Sequence, residues 1–276
     1  MCEYIIRADK LEYAYPDGTK ALKGLTLALP RGKRIAFLGP NGAGKSTFFL
    51  HLNGLNRPSK GSLFFQDKPY KYDGNSLNQL RQQVGLVFQD PDNQLFSASV
   101  SEDVSFGPFN LDLPAQEIAL RVENVLKKTN LWELKDKPTH FLSVGQKKRV
   151  ALAGVLAMEP EVIVLDEPTA NLDPKHTGII MNILTELNRD GKTIIISTHD
   201  LEIVLSWADY LFVLKDGRLL AEGTPAEIFA NEAVLQEAEL EKPLLWTIYQ
   251  ELLRKGYLKE GSRIPRSKQE FLAILK

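Results

Sequence analysis

Residues 39–46 carry the clearest chemistry in this sequence, because their order, Gly-Pro-Asn-Gly-Ala-Gly-Lys-Ser, fits the pattern G-x-x-x-x-G-K-[ST] in full. Glycines in such a loop let successive backbone N–H groups point inward at phosphate oxygens. Lys45 supplies a positive charge for the β- and γ-phosphates of a nucleotide, and the Ser46 hydroxyl is suited to ligate Mg²⁺. The apolar run before the loop and the helical run after it provide the strand and helix that the motif requires. The residues predicted to bind ATP are Gly39, Pro40, Asn41, Gly42, Ala43, Gly44, Lys45, Ser46 and Thr47.

A pair of carboxylates follows a second apolar run. Val162–Leu165 is typical of a strand buried on both faces, and Asp166 and Glu167 come directly after it. A carboxylate at the end of a parallel strand beside the phosphate loop can hold the Mg²⁺ shell, and this role is predicted for Asp166. Glu167 leaves the strand in a different direction and is predicted to polarise the attacking water as general base. The two motifs together predict hydrolysis of ATP.

The N-terminal half of the chain must supply the strand that enters the phosphate loop. Residues 1–38 alternate apolar and polar positions between turn residues, which is typical of a small, mostly antiparallel sheet. Residues 61–88 are predicted as strands around a turn at 72–74, with a short helix over 77–83 as the alternative. A polar to helical stretch then runs from about 90 to 158.

Strands and helices alternate after that stretch. Helices are predicted over 178–188 and Leu201–Trp207, and a buried strand over Thr193–Ser197, while a further helix over 114–128 lies within the preceding stretch. Strands that alternate with helices indicate a parallel sheet with right-handed crossovers, so the predicted class is α/β. Residues 224–227, Thr-Pro-Ala-Glu, predict a helix start with a capping box and proline at the first helical position.

The segment 232–276 has a different pattern, which predicts a small helical appendage over 241–276 behind a main domain over 3–240. Gly256 ends the first apolar face of this segment. That face consists of Leu245, Ile248, Tyr249, Leu252 and Leu253, and a second cluster consists of Phe271, Leu272, Ile274 and Leu275.

The bulk properties exclude several classes of protein. The net charge of −1 argues against a sequence-wide nucleic-acid footprint, so no nucleic-acid partner is expected. A single cysteine, Cys2, excludes an internal disulfide and a cysteine-built metal site. No apolar run is long enough to cross a bilayer, and the N-terminus is not typical of a signal peptide. We therefore expect a soluble, cytoplasmic protein whose membrane role, if it has one, depends on a partner.

Several further motifs are typical of fewer protein families than a phosphate loop is. Residues 142–146, Leu-Ser-Val-Gly-Gln, precede Asp166 by a short interval and resemble the signature of ATP-binding-cassette (ABC) ATPases. Residues 171–173 and 197–200 resemble the D-loop and the switch-histidine motif of that family, and Gln89 lies where its Q-loop glutamine falls. The resemblance covers about residues 3–230 with every motif in order. It implies a P-loop NTPase fold with a RecA-like parallel-sheet core, an N-terminal antiparallel β subdomain, and a helical signature subdomain at about 90–158.

The resemblance also implies roles for single residues. Tyr15 is expected to stack on adenine, with stacking by Tyr13, or sheet packing by both, as the alternatives. Gln89 is expected to contact Mg²⁺ or the lytic water and to report the nucleotide state to a membrane partner. His199 is expected to bind the γ-phosphate and to orient Glu167 and the water. Contacts to an ATP held by the opposite subunit are implied for Ser143, Gly145, Gln146 and Asp173, so that two subunits complete each site.

Val144 departs from the family pattern, which has glycine there. A side chain directed away from the nucleotide would be tolerated. A backbone that required positive φ would be strained by a β-branched residue. Activity is expected to persist.

Residues 87–96 and 102–108 resemble the ATP-binding subunits of energy-coupling-factor (ECF) transporters, including those for cobalt or nickel import. This implies a transmembrane coupling subunit, a membrane substrate-binding subunit, and a position at the cytoplasmic face of the cell membrane. A groove lined by Leu95, Phe96 and Val100 is expected to accept a coupling helix, with core packing as the alternative. The cargo, a vitamin or a transition-metal ion, and the choice between homodimer and heterodimer stay open.

Two other functions are alternatives to an ECF-type ATPase. One is the ATPase of another ABC importer class. The other is a soluble ABC protein that acts on nucleic acid or the ribosome, although the chain has one cassette and no basic excess.

Overall fold

The computed structural model describes residues 3–259 and 261–274. In this part of the chain the strands are β1 (Tyr4–Ala14), β2 (Lys20–Pro30), β3 (Arg34–Leu38), β4 (Lys60–Phe65), β5 (Lys68–Pro69), β6 (Val84–Val87), β7 (Val162–Leu165), β8 (Thr193–Ser197), β9 (Tyr210–Lys215) and β10 (Arg218–Gly223). The α-helices are α1 (Lys45–Leu52), α2 (Gly74–Gln83), α3 (Val100–Asn110), α4 (Ala115–Lys128), α5 (Val144–Leu156), α6 (Pro174–Arg189), α7 (Leu201–Trp207), α8 (Pro225–Ala230), α9 (Glu232–Glu237), α10 (Leu244–Arg254) and α11 (Lys268–Ile274).

The main sheet has the strand order β10-β9-β3-β8-β7-β6. All neighbouring pairs are parallel except β10 with β9. Parallel strands point their carboxyl ends toward the same edge, and β3, β6, β7 and β8 all end there. The phosphate loop, Gln89, the two predicted carboxylates and the predicted switch histidine follow these four strands, so the topology alone brings them to one edge. The predicted parallel sheet is confirmed.

A second, antiparallel sheet has the order β2-β1-β4-β5 and confirms the predicted N-terminal subdomain. Its apolar face shares one core with β3 and α1. Phe37 of β3 is central to that core: it stacks on Phe212 with ring centroids 5.0 Å apart and makes an edge contact with Phe49 at 5.3 Å. Because all three rings are buried, this packing fixes the strand that leads into the phosphate loop.

Helix α5 is buried on two sides. Leu152 and Val155 pack into the core below the main sheet, together with α6 and α7. Val150 and Ala153 pack into a separate core with α3 and α4, which forms the helical part predicted at about 90–158. A helix held between two cores moves as a rigid element, since close-packed interiors deform little.

Two boundaries differ from the sequence-based predictions. Asp73 caps α2 by accepting the Ser76 N–H at 3.0 Å, so the predicted turn at 72–74 begins a helix, and the alternative helix over 77–83 was right but too short. Helix α6 begins at Pro174 rather than residue 178, because Asp173 caps it and proline fits its first turn. The helices predicted over 114–128 and Leu201–Trp207 are confirmed, with Pro114 as the cap of α4.

Of the C-terminal helices, α10 packs onto the main core. Trp246 and Tyr249 of α10 are buried, and Trp246 lies 6.0 Å from the Phe229 ring. Of the second predicted cluster, Leu275 lies outside the described residues, as does Cys2. The division of the chain at 240 and 241 stays a prediction. None of the described helices has the length and apolar content needed to cross a membrane.

Candidate functional site

The phosphate loop lines a cavity of about 900 Å³, and every residue from 39 to 47 contributes to its wall. Lys45 Nζ donates hydrogen bonds to the carbonyl oxygens of Gly39 at 2.6 Å and Pro40 at 3.0 Å, which holds the ammonium over the loop. Burial lowers the pKa of Lys45, and the nearby carboxylates of Glu167 and Asp166 oppose part of that change. Helix α1 begins after Gly44 without a side-chain cap, so its first N–H groups are available to an anion.

Asp166 and Glu167 line the same cavity, and Ser197 fixes both of them. Ser197 is the last residue of β8 and is fully buried. Its hydroxyl donates to Asp166 Oδ1 and accepts the backbone N–H of Glu167 at 2.9 Å. One hydroxyl therefore ties both acidic residues to the neighbouring strand.

Glu167 has an unusual backbone, with a φ of 46° that costs a non-glycine residue about 1–3 kcal/mol. Its carbonyl oxygen accepts hydrogen bonds from Lys148 Nζ at 2.8 Å and from the Ala170 N–H at 3.2 Å. His199 Nδ1 lies 3.1 Å from Glu167 Oε1. His199 Nδ1 also lies 3.1 Å from Oε2, but among the described residues no group donates a hydrogen bond to that buried atom, so the carboxylate keeps unused acceptor capacity.

The two tyrosines proposed for base stacking have different surroundings. Tyr15 lines the cavity, and its hydroxyl lies 2.8 Å from the Thr47 hydroxyl at the end of the phosphate loop. Tyr13 instead packs edge-on against the buried His51 ring, with centroids 4.7 Å apart. This arrangement favours Tyr15 and leaves Tyr13 a packing residue.

Oxygen donors that suit Mg²⁺ converge on the cavity. The Ser46 hydroxyl, the Asp166 carboxylate and the Gln89 amide all contribute to its lining. Mg²⁺ prefers oxygen ligands, retains several waters, and is usually held by one or two carboxylates together with substrate phosphates. The residues present therefore fit an ion that binds together with the nucleotide.

The four residues predicted to act across a subunit interface form a second cluster, outside the lining of this cavity. Ser143 and Gln146 form a capping box at the start of α5, with hydrogen bonds of 3.3 and 2.9 Å. Gly145 packs on His176 so closely that an added Cβ would lie 2.8 Å from the ring. Asp173 accepts the His176 N–H at 2.9 Å and lies 2.7 Å from its Nδ1. The starts of α5 and α6 are therefore joined through His176, which the sequence did not single out.

Val144 is the first residue of α5. It is not among the positive-φ residues of the described chain, and half of its side chain is exposed. The strained alternative for this position is therefore excluded, and the β-branched side chain is directed outward.

The groove prediction was partly wrong. Val100 is fully buried in the core of α3, α4 and α5, and Leu95 packs beside it. Phe96 alone of the three predicted residues lines an open groove of about 560 Å³, where it meets Phe106 edge-on at 4.6 Å. Val100 is the first residue of α3, and its side chain packs into the core of that helical part.

Sequence inspection missed other parts of the site. Lys148 and Ser197 hold the Glu167 backbone from two sides, and a polar residue at the end of an all-apolar strand was the available signal for Ser197. Glu239 and Glu241 line the far wall of the cavity. No local pattern marks them, because they reach the cavity only when the segment before α10 folds back over α7.

Known proteins share this architecture. A family model described as ABC transporter matches residues 22–170. The energy-coupling factor transporter ATP-binding protein EcfA of Methanocaldococcus jannaschii is 52% identical, over 87% of this chain and 86% of that protein. The protein EcfA3 of Clostridium perfringens, with the same description, is 51% identical over 92% of this chain and 90% of its own length.

Solved structures give the same result. The structure of cbiO1 from Clostridium perfringens, described as part of the ABC transporter complex cbiONQ, has a TM-score of 0.77. It is 50% identical, and the match covers 93% of this chain and 98% of that one. A dimeric ABC transporter cassette, MJ0796, has a TM-score of 0.73 at 30% identity, covering 80% of this chain and 99% of its own.

Proposed function

This chain belongs to the energy-coupling factor transporter ATP-binding proteins of the ABC transporter family, and we propose that it hydrolyses Mg²⁺-ATP in composite sites formed with a second ATP-binding subunit. One observation carries the proposal. Glu167 lines the same cavity as the phosphate loop and lies beside His199, and its buried Oε2 atom accepts no hydrogen bond from the described residues. A carboxylate so placed is suited to take a proton from water as that water attacks a γ-phosphate.

Each cavity residue has a distinct part in the proposed reaction. Lys45 and the first N–H groups of α1 bind the phosphates and offset their charge. Ser46, Asp166 and Gln89 would hold Mg²⁺, which would offset negative charge on the phosphates. Glu167 accepts the proton of the attacking water, and His199 keeps the carboxylate and the γ-phosphate aligned. The Ser197 hydroxyl holds Asp166 and Glu167 in position through its two hydrogen bonds.

The second subunit completes the site with the cluster at the starts of α5 and α6. Ser143 is exposed at the beginning of α5, where helix N–H groups favour an anion. We assign Ser143, Gly145, Gln146 and Asp173 to the ATP held by the partner, which is either a second copy or a paralogue. The dimeric cassette structure of MJ0796 supports such a pairing.

Tyr15→Ala is expected to weaken ATP binding about tenfold, because stacking of a base on an aromatic ring contributes roughly 1–3 kcal/mol. The turnover number at saturating ATP should change little, since the Tyr15 hydroxyl contacts Thr47 and not the predicted general base. Tyr15→Phe keeps the ring and loses only the hydroxyl contact with Thr47, and should bind ATP within about twofold of wild type. Nucleotide titration of both variants checks this. Equal weakening in the two would assign the effect to the hydroxyl instead of the ring.

The groove at Phe96 is the proposed seat of a coupling helix from a transmembrane subunit. Phe96 and Phe106 are 64% and 48% exposed, and an exposed apolar pair in a groove is typical of helix docking. The groove is linked to the nucleotide cavity, because Gln94 in its wall accepts the Phe88 N–H at 3.0 Å next to Gln89. A helix seated there would therefore sense the Gln89 segment.

Phe96→Asp is expected to abolish co-purification with a co-expressed ECF-type transmembrane subunit, because it places a charge in an apolar contact. ATP hydrolysis by the isolated subunit should stay within about twofold of wild type. Leu120→Asp is the matched control, since Leu120 is 57% exposed on α4 and lies outside the groove lining. Loss of the complex by both variants, or by neither, would argue against this groove as the docking site. Co-purification of wild type with ribosomes instead would favour the soluble alternative.

We propose that the membrane substrate-binding subunit, not this chain, selects the cargo. The cargo class is a vitamin or a transition-metal ion, with cobalt and nickel as the metal candidates. Closure of the two ATPases on ATP would move the coupling helix, and hydrolysis would reopen them. Contacts with these membrane subunits would hold the chain at the cytoplasmic face of the membrane.

A further inference from the structure

Lys148 is a buried lysine that the proposed phosphate chemistry does not use. It lies in the second turn of α5 and is 5% exposed. Its side chain borders a small apolar pocket lined in part by Leu152, Leu165 and Pro168. A buried ammonium costs several kcal/mol unless it is paired or hydrogen bonded, so its contacts identify what it stabilises.

Those contacts converge on the predicted general base. Lys148 Nζ donates to the Glu167 carbonyl oxygen at 2.8 Å, from the side opposite the Ser197 hydroxyl, which bonds the Glu167 N–H. Burial lowers the pKa of Lys148, while the carboxylates of Glu167, Asp90 and Asp166 oppose that change because they lie near it. Asp90 follows Gln89 directly. Lys148 therefore lies between α5, the Gln89 segment and the acidic residues after β7.

The Glu167 peptide needs such support. With a φ of 46° it occupies a backbone region that non-glycine residues hold only when neighbouring contacts impose it. The Ala170 N–H also bonds the same carbonyl, but at 3.2 Å and from within the same turn. Lys148 supplies the shorter bond, and it is anchored in a different element.

That element reaches the other ATP site. Helix α5 begins one turn and a half before Lys148, at the Ser143 cap, and is fixed between two cores. A small shift of its N-terminus is therefore carried along the helix to the ammonium. The same helix would contact the partner's nucleotide at its first residues and the chain's own general base from its second turn.

We propose that Lys148 is a positioning residue that holds the Glu167 peptide and couples the partner's nucleotide, bound at the start of α5, to hydrolysis in this subunit's own cavity. This inference rests on the proposed composite ATPase. It explains why a lysine is buried at a point where an apolar residue would pack more easily. Removing the donor should misplace the Glu167 carboxylate without disturbing the phosphate loop.

The test compares Lys148→Met with Lys147→Met in the full-length protein. The neighbouring Lys147 forms its ion pair with Asp92 instead, at 2.6 Å, so it controls for loss of a lysine from the same helix turn. Lys148→Met is expected to lower kcat about tenfold or more, since small misplacements of reacting groups have large effects on rate. ATP affinity should stay within about twofold, and the Hill coefficient for ATP should fall toward one. Lys148→Arg, which keeps a charged donor, should recover part of the rate.

Two results would overturn the inference: kcat of Lys148→Met within twofold of Lys147→Met, or a parallel fall in kcat and ATP affinity. If Lys148→Met does not fold, Lys148→Gln replaces it. The glutamine side chain is shorter than lysine, and its uncharged amide N–H makes a weaker hydrogen bond. Its kcat should then fall about threefold at unchanged affinity, and a wild-type kcat would reject the idea. A wild-type protein that binds ATP without any turnover would contradict the proposed function itself, independently of Lys148.

Discussion

Glu167→Gln is expected to lower ATP turnover at least about 100-fold while leaving ATP affinity within about twofold of wild type. The amide has nearly the same shape as the carboxylate and keeps the backbone contacts to Ser197 and Lys148. It removes the basicity of the carboxylate, whose buried Oε2 atom accepts no hydrogen bond from the described residues. Loss of general-base action with retained binding separates the chemical step from nucleotide recognition.

Steady-state hydrolysis and nucleotide titration on the same preparation check this expectation. Glu186→Gln, on the exposed face of α6, is the matched control and should behave as wild type. If hydrolysis reopens the paired subunits, Glu167→Gln should also accumulate a dimer in Mg²⁺-ATP that wild type does not hold, as measured by sedimentation. Turnover of Glu167→Gln within tenfold of wild type would remove Glu167 from the role of base.

The site residues that follow strands could be predicted from the sequence, because a parallel sheet brings its strand ends to one edge whatever the loops do. The phosphate loop, Asp166 and Glu167 needed only an apolar strand before them and a motif at the right point. Their convergence in one cavity is a consequence of the strand order β3-β8-β7. Local sequence pattern was therefore sufficient to bring these residues to one cavity.

Contacts made by elements distant in sequence could not be predicted in this way. Lys148 approaches Glu167 only because α5 packs across the end of β7, and its sequence neighbours give no indication of which side is buried. Val100 was assigned to a groove because an apolar residue near Phe96 fits either a surface or a core. The packing of α3 against α4 and α5 buries it, and this packing joins elements that are distant in sequence.

In the proposed composite sites, one chain carries halves of two different sites. The cavity holds the phosphate loop and the acidic residues, and the starts of α5 and α6 carry the signature cluster outside its lining. A nucleotide bound in the cavity therefore lacks the signature residues of its own subunit. Lys148 connects the two clusters directly, since it lies on the signature helix and bonds the backbone of the predicted general base.

Gly39→Ala is expected to weaken ATP binding at least about tenfold and to lower the free energy of unfolding by roughly 2–4 kcal/mol. Gly39 has a φ of 132°, and a Cβ there would lie 2.0 Å from the Leu214 carbonyl oxygen. That carbonyl cannot withdraw, because β9 is paired with both β3 and β10 and Leu214 is fully buried. The loop itself must shift, which moves the Gly39 carbonyl that holds Lys45.

Gly191→Ala separates the backbone strain of a positive φ from the steric clash of the added Cβ. Gly191 also has a positive φ, 88°, but an added Cβ there meets no atom within 4 Å. It should therefore lose only about 1 kcal/mol of stability, with unchanged ATP affinity. Chemical denaturation and nucleotide titration of both variants give the comparison. Equal stability of the two would mean that the Leu214 carbonyl yields, and that the phosphate loop is held by Lys45 and its own hydrogen bonds more than by the strand beneath it.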